Sequence, residues 1–153
     1  MRLELPDLAA MEHFGRAIAA NLRVGDVVAL SGGLGAGKTT LARAVIGALG
    51  YLGEVPSPSF SIVEIYDPPL SRLAVVHADF YRLEHADEAA GLGLDDYRDG
   101  RALIAEWPDN AGGFADEPAC LSIRLEIVPD TSGSGRIAIV EAGPDWLGRL
   151  PCQ

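Results

Sequence analysis

Gly32-Gly33-Leu34-Gly35-Ala36-Gly37-Lys38-Thr39 matches the pattern G-x-x-x-x-G-K-[ST]. Each residue type in it has a task around a phosphate chain. Glycines let the backbone turn so that successive N–H groups face one anion. A helix that starts at the end of the loop aims its positive pole at the same charge. Lys38 supplies a point charge for the β- and γ-phosphates, and the Thr39 hydroxyl can ligate Mg²⁺.

Phosphate chemistry of this kind needs a carboxylate to hold Mg²⁺ or to orient water, usually at the C-terminal end of a neighbouring apolar strand. Two segments end that way, Leu73-Ala74-Val75-Val76-His77-Ala78-Asp79 and Ala102-Leu103-Ile104-Ala105-Glu106. Spacing alone leaves open whether Asp79 or Glu106 touches the metal. Ser57-Pro58-Ser59-Phe60 occupies the place where nucleotide switches bring a hydroxyl to Mg²⁺ or the γ-phosphate, with Ser59 the candidate. A stiff proline turn without chemistry reads equally well there.

The elements that must position these residues follow from pattern. Leu3-Glu4-Leu5 reads as a short strand. Asp7 caps a helix whose Leu8, Met11, Phe14, Ile18 and Leu22 recur at helical spacing. Val27 to Leu30 is a buried strand that feeds the glycine loop, and Lys38 to Leu49 is a helix stopped by Gly50. Phe60 to Tyr66 alternates as a strand, and the polar stretch from Glu84 to Gly100 is weakly helical. Ala119 to Val128 and Arg136 to Val140 form a hairpin around Pro129–Gly135, with a short helix over 145–150. This order predicts an α/β fold, a P-loop NTPase-like three-layer sandwich. Its central sheet is mixed and partly parallel, with a C-terminal antiparallel hairpin at one side. The length of 153 residues suits one domain over 1–153, at about 150 residues per domain.

Charge narrows the function classes. Twelve Lys and Arg against 22 Asp and Glu give −10, and Lys38 is the only lysine. Such a surface argues against gripping nucleic acid directly, because that binding runs on phosphate neutralisation. Eleven acids and three arginines lie between Asp79 and Glu117. They make either a solvated face or a docking surface for a basic patch on a protein partner. No apolar run reaches about 18 residues, the N-terminus lacks a signal-peptide pattern, and Cys120 and Cys152 suggest no disulfide framework. A soluble, cytoplasmic protein is the expectation.

In order and spacing, the stretch from Gly32 to Thr40, Ser57-Pro58-Ser59-Phe60, His77-Ala78-Asp79-Phe80-Tyr81-Arg82-Leu83 and Glu106-Trp107-Pro108 resemble the TsaE (YjeE) family. The resemblance runs almost end to end. It implies a small, slow Mg²⁺-dependent ATPase needed for the threonylcarbamoyl modification of adenosine in tRNA. Its implied partners are TsaD and TsaB, with tRNA reached only through that complex. Gly35, Ala36, Gly37, Lys38, Thr39 and Thr40 would hold the phosphates. Thr39 and Glu106 would ligate Mg²⁺, with Asp79 close by in a metal or water-positioning role. Ser59 matches the family's switch-loop threonine, and Arg136 loosely matches the family's approach to the adenine. One departure stands in the loop, where Gly33 replaces the family's aspartate.

Three rival functions fit parts of the pattern. A small P-loop kinase acting on a metabolite would need an arginine-bearing lid, and Arg98 and Arg101 could form one. A GTPase commonly selects guanine with N-K-x-D, which a chain whose one lysine is Lys38 cannot contain. A non-enzymatic, ATP-gated adaptor would bind nucleotide without partner-stimulated turnover.

Overall fold

Asp7 accepts a hydrogen bond from the Ala10 amide at 2.8 Å and so opens helix α1, Leu8–Asn21, as an N-cap does. The helix buries Met11, Phe14, Ile18 and Ala19, the stripe expected of 3.6-residue periodicity. Leu8 does not join it. As the first helical residue it lies ahead of the stripe and is exposed. The structure is a computed structural model that describes residues 1–58, 63–129 and 133–151.

One seven-stranded sheet runs in the order β1-β7-β6-β2-β5-β4-β3. Its strands are β1 (Arg2–Leu5), β2 (Val27–Ser31), β3 (Val63–Tyr66), β4 (Val75–Asp79), β5 (Ala102–Glu106), β6 (Cys120–Ile127) and β7 (Arg136–Ala142). The central pairs β6/β2, β2/β5 and β5/β4 are parallel. Antiparallel strands flank both sides, β1 and β7 at one edge and β3 at the other, where the sequence suggests only one such side. The reason lies in the 67–74 connection between β3 and β4. It is shorter than the dozen or so residues a parallel crossover needs.

Alternation along the strands sorts two cores. Val28, Leu30, Val75, Ala102 and Ile104 share one with α1 and with helix α2, Lys38–Ala48. Val27, Ala29, Val76, Ala78, Leu103 and Ala105 share the other with Ala89 and Leu94. These two residues belong to helices α3 (Glu88–Gly91) and α4 (Leu94–Arg98). The result is the three-layer α/β sandwich, with a thin layer on the second face. The polar stretch from Glu84 forms two short helices because Gly93 takes a left-handed conformation, φ 79°, between them. The expected C-terminal helix is a single 3₁₀ turn, Pro144–Trp146. Among the described residues no helix is long and apolar enough to cross a membrane.

Gly15 sets the approach of α1 to α2. A Cβ there would run into the Ala44 Cβ and lie 3.1 Å from its carbonyl carbon. Gly15→Ala is therefore expected to destabilise the fold by about 1–3 kcal/mol through overpacking, against a helix-propensity gain of up to about 1 kcal/mol. The check is the urea-unfolding midpoint, which should fall. A raised midpoint would mean that the helices separate freely.

Candidate functional site

The glycine loop joins β2 to α2. Gly32, Gly35 and Gly37 hold φ of 135°, 75° and 107°, the region that favours glycine. A Cβ on Gly32 would collide with the Leu125 carbonyl oxygen, so the loop sits directly against β6. Gly37 precedes α2 and offers no side-chain cap. The first-turn N–H groups of the helix stay open toward the loop's hollow, which is the arrangement that receives an anion.

Strand register brings the carboxylates there. In β2 and β5 Leu30 pairs with Glu106, and in β4 and β5 Asp79 pairs with Glu106. Ser31, Glu106 and Asp79 thus end three adjacent parallel strands, and period-two alternation puts both carboxylates on the α2 side. The Thr39 hydroxyl donates to Glu106 Oε1 at 2.7 Å. Asp79 Oδ1 instead accepts from the Tyr81 amide at 2.9 Å. Glu106 is the carboxylate that meets the loop threonine, and Asp79 stands beside it.

Lys38 is buried. Its ammonium donates to the Gly32 and Gly33 carbonyls at 2.8 and 2.7 Å and lies 4.3 Å from the centre of the Trp107 ring, within cation–π range. Burial pulls this ammonium below its ordinary pKa, against the opposing charges of Glu106 and Asp79. Burial likewise pushes the Asp79 carboxyl above the usual range. The Tyr81 N–H bond works against that shift, and the charge of Glu106 adds to it.

These groups line one cleft of about 430 Å³, together with Leu34, Gly35, Thr40, Ser57, Tyr81 and Arg82. Its donor set fits a Mg²⁺ ion. The Thr39 Oγ1 and Glu106 Oε1 oxygens are 2.7 Å apart, close to the ~2.9 Å edge of an octahedron with bonds of about 2.0–2.1 Å. Mg²⁺ is typically held by one or two carboxylates plus phosphates and water rather than by an all-protein cage. Among the described residues no such cage exists.

The family model "Threonylcarbamoyl adenosine biosynthesis protein TsaE" matches residues 5–136. The chain belongs to the TsaE family. A TsaE protein of Streptomyces coelicolor is 38% identical over 89% of this chain and 93% of its own. The Haemophilus influenzae TsaE protein is 31% identical over 94% and 92%. A crystal structure of Bacillus subtilis YdiB superposes with a TM-score of 0.73 at 25% identity, covering 95% of this chain and 88% of that one.

Other residues that the TsaE resemblance singles out are placed as follows. Arg136 clasps the glycine loop. Its Nε donates to the Ala36 carbonyl at 2.9 Å and one terminal nitrogen to Gly35 at 3.1 Å. The other terminal nitrogen reaches the Gly133 and Gly135 carbonyls at 2.9 Å. It also lines a second cleft of about 280 Å³ with Asp7, Leu8, Met11, Gly37 and Thr40. Ser59 lies outside the described residues, as does Cys152. Arg98 and Arg101, the lid of the kinase reading, stand away from the cleft. Arg98 forks onto Glu117 and Arg101 onto Asp67 at 2.8 and 2.9 Å.

Two site residues carry no role in the sequence reading, His77 and Trp107. Alternation could have found His77, two residues before Asp79 on the same strand face. Trp107 gives no local signal. Its φ of 55° is left-handed, unusual for a bulky residue before proline. It is held by its amide on the Leu30 carbonyl at 3.2 Å and by its ring against Tyr81, 5.0 Å between centroids.

Proposed function

We propose that this chain binds Mg²⁺–ATP in the cleft at the ends of β2, β4 and β5 and hydrolyses it slowly, in support of threonylcarbamoyladenosine biosynthesis. The observation that carries the reading is the Thr39–Glu106 contact at 2.7 Å, in a cleft that also holds Lys38, the open α2 N-terminus and Asp79. Backbone amides of Gly35 and Gly37 with Lys38 would hold the phosphates, with the Ala36 amide spent on the Gly33 carbonyl at 3.2 Å inside the loop, and Thr39 and Glu106 would hold the Mg²⁺. Bound Mg²⁺ supplies neutralisation of charge on the β- and γ-oxygens. Asp79, whose Oδ1 accepts from the Tyr81 amide, would orient water. Thr40 and Arg136 border the adjoining 280 Å³ cleft, which would take the adenine side of the nucleotide.

Glu106→Gln keeps the shape and removes the charge. At fixed Mg²⁺ it is expected to slow phosphate release, with ATP affinity in EDTA not weakened, because the charge removed is one that repels the nucleotide. Unchanged turnover would transfer the metal role to Asp79. The wild-type protein should release phosphate without any small acceptor. A metabolite that speeds turnover and becomes phosphorylated would favour the kinase reading instead, which Arg98 and Arg101, committed to Glu117 and Asp67, do not support.

For partners, the proposal is TsaD and TsaB, with tRNA reached through them. Of the acidic run from Asp79 to Glu117, Asp79 and Glu106 are buried in the cleft, and the exposed acids from Glu84 to Asp116 are the surface proposed for a basic protein patch. A pull-down with TsaD and TsaB, with and without ATP, should retain the chain. Retention in neither state would remove the partnership and leave the nucleotide chemistry standing.

A further inference from the structure

We infer that His77 is a positioning residue for the Glu106 carboxylate and, through it, for Mg²⁺. The inference rests on the Mg²⁺–ATP reading. His77 is completely buried, facing Ile104 across the β4–β5 ladder, one alternation step below the Asp79–Glu106 pair. Along that face Val75, Ala102 and Ile104 are core residues, and on its other side His77 pairs with Glu64 of β3. The imidazole has a cost, because among the described residues its buried Nδ1 has no hydrogen-bond partner, and unpaired buried polar atoms destabilise.

What the ring does supply is a bond to the site. Its Nε2 lies 2.7 Å from Glu106 Oε2. An ionised carboxylate only accepts, so Nε2 carries the proton and donates. The two oxygens of Glu106 are thereby divided. Oε2 is fixed on the core side by His77, and Oε1 is turned to Thr39. Among the described residues, removing the imidazole leaves the flexible glutamate bonded through Thr39 alone, itself a proposed metal ligand. His77 therefore keeps Glu106 presenting one oxygen to the metal, the part that outer partners of metal ligands play.

The test titrates Mg²⁺ into the full chain with a fluorescent ATP analogue, for wild type, His77→Leu, His77→Gln and His77→Asn. Thermal unfolding without nucleotide and binding in EDTA are measured alongside. Glutamine can place an amide N–H near the position of Nε2; asparagine reaches only the position of Nδ1. His77→Leu and His77→Asn are expected to need about 10–100-fold more Mg²⁺ for half-maximal Mg²⁺-dependent binding. His77→Gln should recover most of that loss, and affinity in EDTA should stay level throughout. A folded His77→Leu with the wild-type Mg²⁺ requirement overturns the inference. If His77→Leu does not fold, equal Mg²⁺ requirements in the glutamine and asparagine variants overturn it. Wild-type binding that ignores Mg²⁺ would overturn the Mg²⁺–ATP reading and this inference together.

Discussion

Lys38→Ala is expected to lower ATP hydrolysis by about 10²–10³-fold and to weaken ATP binding in the same preparation. A cation and a phosphate charge about 4 Å apart attract by roughly 4 kcal/mol at an effective dielectric of 20, enough for a loss of that size. The structure adds two reasons. The ammonium is the charge that Glu106 and Asp79 face, so its removal leaves two neighbouring carboxylates that repel the nucleotide. It also ties the Gly32 and Gly33 carbonyls at 2.8 and 2.7 Å, so the loop loses an internal clasp. Lys38→Arg keeps the charge but not the compact ammonium, and should restore little, since a planar fork does not fit a site built for a point charge. Phosphate release and calorimetric ATP titration check this. Wild-type hydrolysis in a folded Lys38→Ala protein would move the chemistry out of this cleft.

Arg149→Ala is expected to cost about 3–5 kcal/mol of stability, the loss typical of breaking a buried ion pair from one side. At about 2–4 °C per kcal/mol for a chain of this size, Tm should fall by roughly 6–20 °C. Arg149 and Asp26 are nearly inaccessible, 8% and 3% exposed at their side chains. They form a fork with both N–O distances at 2.6 Å. The same guanidinium donates to the Asn21 carbonyl at 2.6 Å and stacks on Trp146 at 4.2 Å. It thus joins the end of α1, the turn into β2 and the C-terminal 3₁₀ turn. Alanine would leave the Asp26 carboxylate buried with only the Arg23 amide, at 2.7 Å, among its present partners. Asp26→Leu with Arg149→Met removes both charges and should recover much of the stability. Thermal and urea unfolding of the single and double variants decide it. A double variant as unstable as the sum of the singles would show that Arg149 acts through Asn21 and Trp146 rather than through Asp26.

Most of the elements were readable because they rest on local rules. The Asp7 cap, the α1 stripe from Met11 to Ile18, the buried run of β2 and the limits of β5 at Ala102 and Glu106 each follow from spacing within a few residues. The hairpin of β6 and β7 declared itself by two apolar runs around a turn. The antiparallel placement of β3, the left-handed Trp107 and the clasp of Arg136 on the glycine loop did not. The first turns on the short 67–74 connection, whose length sets the strand direction; the other two depend on segments far apart in the chain, up to 101 residues between Arg136 and Gly35.

The same division holds at the site. A glycine loop of the G-x-x-x-x-G-K-[ST] pattern, with Lys38 and Thr39 at its end, and two apolar segments that finish in carboxylates are legible in the chain itself. Those are properties of residue type and short-range order, which local backbone sterics and alternation enforce. Which carboxylate meets the Thr39 hydroxyl is set by the tertiary structure. The strand order β2-β5-β4 makes Glu106 the neighbour of both Leu30 and Asp79, so Glu106 reaches Thr39 and Asp79 stands one strand further out. It also set His77 beneath Glu106 and closed the chain's end on Asp26 through Arg149. Lateral strand order and register are chosen by the burial of whole faces across the sheet, and no local spacing encodes them.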